Sequence, residues 1–255
     1  MYNQNAMAKV KVLVQGYTTA DRKNITGTEE TCPTITLVRD RGIVMVVDPG
    51  VLPDQKILID ALAKEKLTTD DVNIVAITHS HIDHYRNVGM FKKAKVLEYF
   101  GLWDGGKVED WQEHFSDDIQ ILKTPGHDYT CITLFVKTDG GVVAICGDVF
   151  WKENAPEFDI YASDHKKLKH SRELVLKMSH WIIPGHAGMY KTENGHRLIK
   201  SEKGRRVEAA SLGNCKNCRK PFKKKEDKCP CQEWLCYHCC ECEVDCGVCH
   251  CKHKI

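Results

Sequence analysis

The segment 78–84 constrains the fold of this chain more than any other. It reads THSHIDH and places three histidines and one aspartate within six positions, directly after an apolar strand pattern. In a tight loop, residues two apart can face the same point, so His79 and His81 can bind one cation while Asp83 and His84 turn toward a second. Imidazole nitrogen and carboxylate oxygen are the ligand types that zinc prefers at an open site. Because burying these groups without partners is costly, we interpret the segment as a metal-binding loop at a strand end.

Two Pro-Gly-His sequences and one Gly-Asp sequence occupy matching positions farther along the chain. His127 follows the strand pattern IQILK, and His186 follows Trp181 and Ile182. In both cases the proline ends a strand and the glycine permits a sharp turn that aims the histidine inward. Asp148 follows the apolar pattern GVVAIC. Each sequence taken alone also fits an ordinary turn or a helix cap, but together they supply three further candidate metal ligands.

Strand and helix patterns alternate through the first 210 residues. Apolar residues at helical spacing predict helices at 53–66 and 165–178. Short β-branched segments predict strands at 9–15, 34–38, 42–47, 73–78, 95–98, 119–123, 131–137 and 141–145. This alternation indicates an α/β or α+β fold in which helices cover the sheets, with function in the loops beyond the strand ends.

The order of these motifs resembles the metallo-β-lactamase superfamily over about residues 10–200. The likeness is carried by VLVQGY (12–17), THSHIDHYRNVGMF (78–91), TPGHD (124–128), CGDVF (146–150), SREL (171–174) and IPGHAG (183–188). The resemblance implies a four-layer αββα sandwich with two zinc ions in the cleft between its sheets. It also implies a hydrolase and, within the family, an endoribonuclease that cleaves histone pre-mRNA 3′ ends.

The resemblance also implies a role for each candidate ligand. It assigns His79, His81 and His127 to one zinc, Asp83, His84 and His186 to the other, and Asp148 to both. Two zinc ions lower the pKa of a shared water toward ~7, which yields hydroxide as the nucleophile. Asp83 is the candidate catalytic residue because it could orient that water, although a ligand role alone accounts for it equally well.

The same nucleophile attacks phosphorus or carbonyl carbon, so the site fits two substrate classes. Hydrolysis of RNA phosphodiesters is the leading interpretation, and hydrolysis of small thioesters, of the glyoxalase II kind, is the alternative. The sequence does not reveal the rim of the cleft, which would decide between them.

A second region begins near residue 211, because eleven of the fourteen cysteines lie between Cys215 and Cys251. We predict a hydrolase domain at 1–210 and a small Cys-rich tail at 211–255. Its Cys-x2-Cys pairs have the spacing of structural zinc sites, and so short a segment would fold only with metal. A metal store and a disordered terminus are alternatives for the tail. A third hypothesis for the whole chain is a metal-binding or interaction protein dominated by this tail.

Charge and composition exclude some classes of protein and favour others. The formal net charge of +2 excludes a protein that coats nucleic acid along its whole surface, although seven basic residues within 216–228 could contact RNA phosphates. No apolar run approaches the ~18 residues of a membrane span, so we expect no membrane partner. The N-terminus does not have the pattern of a secretory signal. We therefore expect a cytoplasmic protein, with the nucleus as an additional location, that acts on RNA or a small thioester, and we leave homodimer formation open.

Overall fold

The structure is a computed structural model that describes residues 7–20, 28–153 and 156–193. The predicted domain boundary at 210/211 and the predicted zinc-stabilised tail lie outside the described residues. The helices are α1 (Lys56–Lys64), α2 (Ile82–Tyr85) and α3 (His165–Met178). The strands are β1 (Lys9–Val14), β2 (Tyr17–Thr18), β3 (Thr31–Cys32), β4 (Ile35–Asp40), β5 (Ile43–Val47), β6 (Ile74–Ala76), β7 (Lys95–Glu98), β8 (Gly101–Asp104), β9 (Lys107–Glu109), β10 (Ile119–Lys123), β11 (Ile132–Thr138), β12 (Gly141–Ile145), β13 (Trp181–Ile183) and β14 (Tyr190–Lys191).

Most of these strands belong to two sheets. The first sheet has the order β1-β4-β5-β6-β7-β8-β9, and the second has the order β10-β11-β12-β13-β14. Strands β5, β6 and β7 are parallel to one another, as are β12 and β13, whereas the other neighbours are antiparallel. The short strands β2 and β3 pair only with each other. The parallel strands matter for function because their carboxyl ends meet at one edge of each sheet.

The two sheets face each other across one apolar core. Val38, Met45 and Leu97 of the first sheet belong to the same buried cluster as Ile121 and Leu134 of the second. Successive side chains of a strand point to opposite faces, so each sheet also buries an outer face under a helix. The buried residues Leu58 and Leu62 of α1 pack on the outer face of the first sheet, and α3 lies against β12 of the second. The mixed α/β class predicted from the sequence is confirmed, and these elements form the four layers expected.

The eight predicted strands and two predicted helices are all present, with ends that differ by three residues at most. Sequence reasoning missed the short elements. Strands β8 and β9 are largely exposed and only four and three residues long, which leaves no alternation pattern to detect. Helix α2 begins directly after His81, inside the histidine-rich segment, where the ligand pattern obscured it.

The candidate ligands leave the ends of four strands at one edge of the sandwich. The segment Thr78 to His84 follows β6, and His127 follows β10. Asp148 follows β12, and His186 follows β13. The contacts described below show that these loops converge. Of the helices described, none has the length and apolar character needed to cross a membrane.

Candidate metal centre

The structure brings all seven predicted ligand side chains together. These side chains form two groups, and within each group the ligand atoms lie within 4.8 Å of one another. One group contains His79, His81, His127 and Asp148, and the other contains Asp83, His84 and His186. We call the three histidines of the first group the first triad, and Asp83, His84 and His186 the second triad.

The first triad consists of imidazoles whose nitrogens face a common point. His81 Nδ1 lies 3.0 Å from His79 Nε2 and 3.0 Å from His127 Nε2. His79 and His127 are buried, and His81 is half-buried. Three convergent ring nitrogens are an arrangement that suits a first-row transition metal.

The second triad contains two imidazoles and one carboxylate. Asp83 Oδ2 lies 3.8 Å from His84 Nε2 and 3.7 Å from His186 Nε2. His84 is fully buried, whereas 18% of the Asp83 side chain remains exposed. The carboxylate therefore sits at the solvent side of this triad.

Asp148 lies between the two triads and contacts both. Its Oδ2 is 3.4 Å from His127 Nε2 and 3.2 Å from His186 Nε2, while its Oδ1 is 3.4 Å from His84 Nε2. The loop after β13 approaches this carboxylate so closely that a Cβ on Gly185 would lie 1.8 Å from Asp148 Oδ1. Glycine at 185 is therefore needed for space.

Two buried carboxylates orient histidines by accepting a hydrogen bond from Nδ1, the ring nitrogen that does not face the centre. His84 Nδ1 donates to Asp48 Oδ2 at 2.8 Å, and His127 Nδ1 donates to Asp159 Oδ2 at 2.7 Å. A hydrogen bond at Nδ1 fixes the tautomer and turns the lone pair of Nε2 toward the centre. One histidine of each triad is thus held by a carboxylate that is not itself a ligand.

Uncharged groups orient two further histidines. Thr78 Oγ1 donates to Asp48 Oδ2 at 2.7 Å, which leaves it free to accept from His79 Nδ1 at 3.2 Å. His186 Nδ1 donates to the Cys32 carbonyl oxygen at 3.0 Å. His81 differs from the other four, because its Nδ1 is the atom that faces the centre.

Sequence reasoning missed the orienting residues. Asp48 lies in an Asp-Pro-Gly sequence that by itself indicates only a turn. In the structure its φ is 50°, a conformation that few residues other than glycine adopt, and its carboxylate accepts from both Thr78 and His84. An Asp-Pro-Gly turn directly after a strand was an available signal. Asp159 stands in a loop before α3 with no recognisable motif around it, so no sequence signal could have found it.

The pKa shifts follow from burial and from the mixture of charges. Burial lowers the pKa of His79 well below its ordinary value, and the charge of His84 adds to that effect. Burial alone would raise the pKa of Asp148, but His186 and His84 hold it well below its usual range. The shared carboxylate is therefore ionised and His79 is neutral, as metal ligands must be. The neighbouring carboxylates instead raise the pKa of His84 and His186 despite their burial, so a metal ion would displace protons from these two rings.

The residues fit a two-metal centre. His84 Nε2 and Asp148 Oδ1 are buried, lie 3.4 Å apart and have no hydrogen-bond partner. A cation between the triads would satisfy both atoms. The donor set of imidazole nitrogens and carboxylate oxygens suits zinc and also iron.

Comparisons with known proteins agree with this geometry. A family model described as "Metallo-beta-lactamase superfamily" matches residues 33–109, which include the segment 78–84. Metallo-beta-lactamase domain-containing protein 1 of Xenopus laevis is 27% identical over 204 residues, covering 76% of this chain and 85% of that protein. The match to the protein of the same name in Mus musculus is 29% identical and covers 58% of this chain and only 60% of that protein.

Solved structures share the fold at lower identity. The crystal structure of a metallo-beta-lactamase family protein from Thermus thermophilus superposes with a TM-score of 0.54 at 16% identity, covering 76% of this chain and 79% of that one. A further structure, in a di-iron-bound form, gives a TM-score of 0.51 at 18% identity and covers 65% of this chain and 92% of that one. At such identities the likeness concerns the fold alone.

Proposed function

The chain belongs to the metallo-β-lactamase superfamily of metal-dependent hydrolases, and from this premise we propose that it hydrolyses RNA phosphodiesters at a di-zinc centre. One observation carries the proposal of a two-metal hydrolase. The buried Asp148 carboxylate lies within 3.4 Å of histidines from both triads, and its Oδ1 has no hydrogen-bond partner. A carboxylate in this position can be shared by two cations.

Each triad would hold one metal ion. The first triad offers three nitrogen ligands, and the second offers two nitrogens and the Asp83 carboxylate. Two divalent cations in one site activate water at neutral pH and stabilise the negative charge that develops on the reacting group. We propose zinc because it prefers this donor set at open sites, with iron as the competing metal that elemental analysis would reveal.

Asp83 is the residue that we assign to orienting the attacking water. It is the more exposed of the two carboxylates at the centre, with 18% of its side chain accessible against 7% for Asp148. Thr31 Oγ1 donates to Asp83 Oδ2 at 3.1 Å, so the carboxylate is fixed in position. A fixed acceptor at the solvent side can hold a water and receive its proton, whereas Asp148 is too enclosed for this role.

Exposed lysines on α3 favour an anionic substrate. Lys166, Lys167 and Lys169 are exposed on the first turns of this helix, and the loop before it holds His127 through Asp159. Lysines that contact phosphates raise affinity in a salt-dependent way. We propose that these lysines contribute such contacts.

The Cys-rich segment 211–255 is proposed to bind structural zinc and to increase RNA affinity. Deleting it should weaken RNA binding and flatten its salt dependence, because phosphate contacts are lost. Cleavage at saturating RNA should remain, since the ligands of the hydrolytic centre lie outside this segment. RNA binding that is equally tight and equally salt-sensitive without the segment would remove it from the mechanism.

The decisive experiment presents three substrates to the zinc-loaded full chain in parallel: a single-stranded RNA, an S-acyl glutathione and a chromogenic lactam. We expect RNA cleavage that EDTA abolishes and that Asp148→Asn also abolishes. Asp139→Asn is the matched control, because Asp139 is exposed at the β11–β12 turn. Thioester hydrolysis without RNA cleavage would select the glyoxalase II-like alternative. A protein that binds two metal ions and hydrolyses none of the three would overturn the proposal.

A further inference from the structure

We propose that Tyr99, Phe100 and Tyr129 form a platform beside the metal centre on which an unpaired nucleobase of the substrate stacks. We call these three side chains the aromatic platform. The inference rests on the proposed RNA hydrolysis and specifies its substrate further, namely RNA that is single-stranded next to the cleaved bond. None of the three residues belongs to the triads or orients a ligand.

Tyr129 is held next to the first triad by a hydrogen-bonded loop. Ser80, the residue between His79 and His81, donates its N–H to Thr130 Oγ1 at 3.0 Å. Ser80 Oγ donates to Asp128 Oδ1 at 3.4 Å. The residues on both sides of Tyr129 are therefore bound to the ligand loop, yet the tyrosine itself is 61% exposed. A large aromatic side chain held in solvent at the mouth of a site is available for recognition.

Tyr99 and Phe100 come from the first sheet, and Tyr99 lies beside Tyr129. They follow β7, whose Leu97 carbonyl accepts from the N–H of Ile77 at 2.8 Å, just before the ligand loop. The Tyr99 ring lies 5.1 Å from that of Phe100 and 6.4 Å from that of Tyr129, edge-on in both cases. Tyr99 is half-buried and connects two rings that are 58% and 61% exposed. The exposed rings therefore keep surface for a further planar group.

The platform is fixed before any substrate arrives. The Phe100 N–H donates to Glu98 Oε2 at 3.0 Å, and Trp103 Nε1 donates to Glu98 Oε1 at 2.6 Å. The Glu98 carboxylate is thus engaged by two donors. Lys123 Nζ lies 4.1 Å from the centre of the Tyr99 ring and adds positive charge at the same surface. Aromatic rings beside a cation are the combination that binds single-stranded nucleic acid.

Stacking explains why the occupant is a base. Every nucleobase has a flat face, and stacking on an aromatic side chain stabilises binding with little dependence on sequence. A base in a duplex already stacks on its neighbours, so it could reach the platform only after unpairing. We therefore expect the chain to prefer single strands and loops over duplex RNA.

The test replaces Tyr129 and, separately, the base that it would contact. The full chain is compared with Tyr129→Leu, which keeps an apolar side chain, and with Tyr129→Phe, which keeps the ring. Ile59→Ala is the control for loss of an exposed apolar side chain, since Ile59 is 49% exposed on α1. The substrates are a labelled single-stranded RNA and the same RNA with abasic riboses flanking the cleaved bond.

We expect Tyr129→Leu to raise KM for the intact RNA about tenfold and to leave kcat unchanged, because one stacking contact is lost from substrate and transition state alike. Tyr129→Phe and Ile59→Ala should behave like the unaltered chain. With the abasic RNA, the unaltered chain and Tyr129→Leu should give the same KM. Fluorescence anisotropy in an Asp148→Asn background, which prevents turnover and leaves the zinc of segment 211–255 in place, should show the same pattern in Kd.

Two results would overturn the inference. Equal Kd values for intact RNA in the unaltered chain and Tyr129→Leu would show that no base stacks there. A loss in Tyr129→Leu that persists with abasic RNA would show that the tyrosine only supports the loop. If no RNA is cleaved, the proposed function fails, but the anisotropy experiment still decides whether the platform binds bases.

Discussion

The two triads have the same construction but different charge. Each takes two candidate ligands from the segment 78–84, which follows β6 of the first sheet and includes the start of α2, and one histidine from a loop that follows a strand of the second sheet. The first triad is made of three imidazoles, whereas the second contains the Asp83 carboxylate. A cation at the second triad is therefore partly neutralised by its own ligands, and a cation at the first triad depends on Asp148 for negative charge.

This difference makes Asp148 the element on which both sites depend. It belongs to the second sheet, as do His127 and His186, so every metal ion bound here would connect the two sheets. The centre is then both the reactive site and a link across the sandwich. Changes to Asp148 should affect both triads, whereas a change to the orienting residue Asp159 should affect the first triad alone.

The largest expected effect comes from Asp148→Ala. Without the shared carboxylate the first triad holds no negative charge, and we expect the metal content of the full chain to fall by two ions and hydrolysis to fall to background. Elemental analysis of both proteins measures this, since the cysteines of segment 211–255 contribute equally to each. Asp139→Ala is the control and should keep the full content. A drop of only one ion would show that the triads bind independently.

Gly185→Ala should have the next largest effect, although it removes no ligand. The added Cβ would lie 1.8 Å from Asp148 Oδ1, so the carboxylate and the adjacent His186 must shift. Because displacements of about 1 Å in a catalytic site cost about 100-fold in rate, we expect a loss of that order. Gly89→Ala is the matched control, since nothing lies within 4 Å of a Cβ built there. Unchanged kcat/KM in Gly185→Ala would contradict the tight packing against Asp148.

The two Pro-Gly-His sequences show how far sequence reasoning extends. Both were predicted to need glycine for a sharp turn. For Gly126 this is confirmed, because its φ is 138° and a Cβ there would also lie 2.1 Å from the Leu168 nitrogen. A turn is also present at Gly185, but its φ is not positive, and the glycine is needed there for the close approach of Asp148. Identical sequences thus serve different physical needs.

The other residues of the centre also differ in whether the sequence alone could predict their role. The ligands were predictable because histidine and aspartate recur at strand ends, where the fold brings loops together. The partner of His127 was not, since Asp159 lies thirty-two residues away and only the tertiary structure joins them. The exposed Tyr129 also carries no sequence signal, because a single tyrosine in a loop has no periodicity.

Replacing the two orienting carboxylates should affect metal binding at the two triads differently. Asp48 accepts from His84 of the second triad and, through Thr78, supports His79 of the first. Asp159 contacts only the first triad. We expect Asp159→Asn to weaken the binding of one metal ion about 10–100-fold, and Asp48→Asn to weaken both by similar factors.

Competition with a coloured chelator measures both affinities in each variant. Asp70→Asn is the control, because Asp70 forms an exposed ion pair with Lys93 far from any ligand contact. Equal effects of Asp48→Asn and Asp159→Asn on both ions would mean that the centre responds as one unit and that the triads cannot be told apart.

The smallest effect concerns the start of α3, which supports the loop of His127. Asp164 accepts from the N–H groups of Lys166 and Lys167 at 2.9 and 3.0 Å, and its own N–H donates to the Gly126 carbonyl. The backbone N–H of Lys167 is the main cause that lowers the pKa of Asp164. A carboxyl whose pKa is lower in the folded state stabilises the protein above its unfolded pKa, and the contribution is lost as the pH falls through the folded value.

Asp164→Ala should therefore lower the urea midpoint slightly at pH 7, and the difference from the unaltered chain should narrow below about pH 4. Asp164→Asn keeps an oxygen that caps the helix but does not titrate, so its difference from Asp164→Ala should not depend on pH. Among the seven candidate ligands, His127 is the one that contacts this loop in the described residues, so Asp164→Ala should weaken the first triad and leave the second unchanged. A pH-independent gap between the unaltered chain and Asp164→Ala would show that the charge of Asp164 does not contribute.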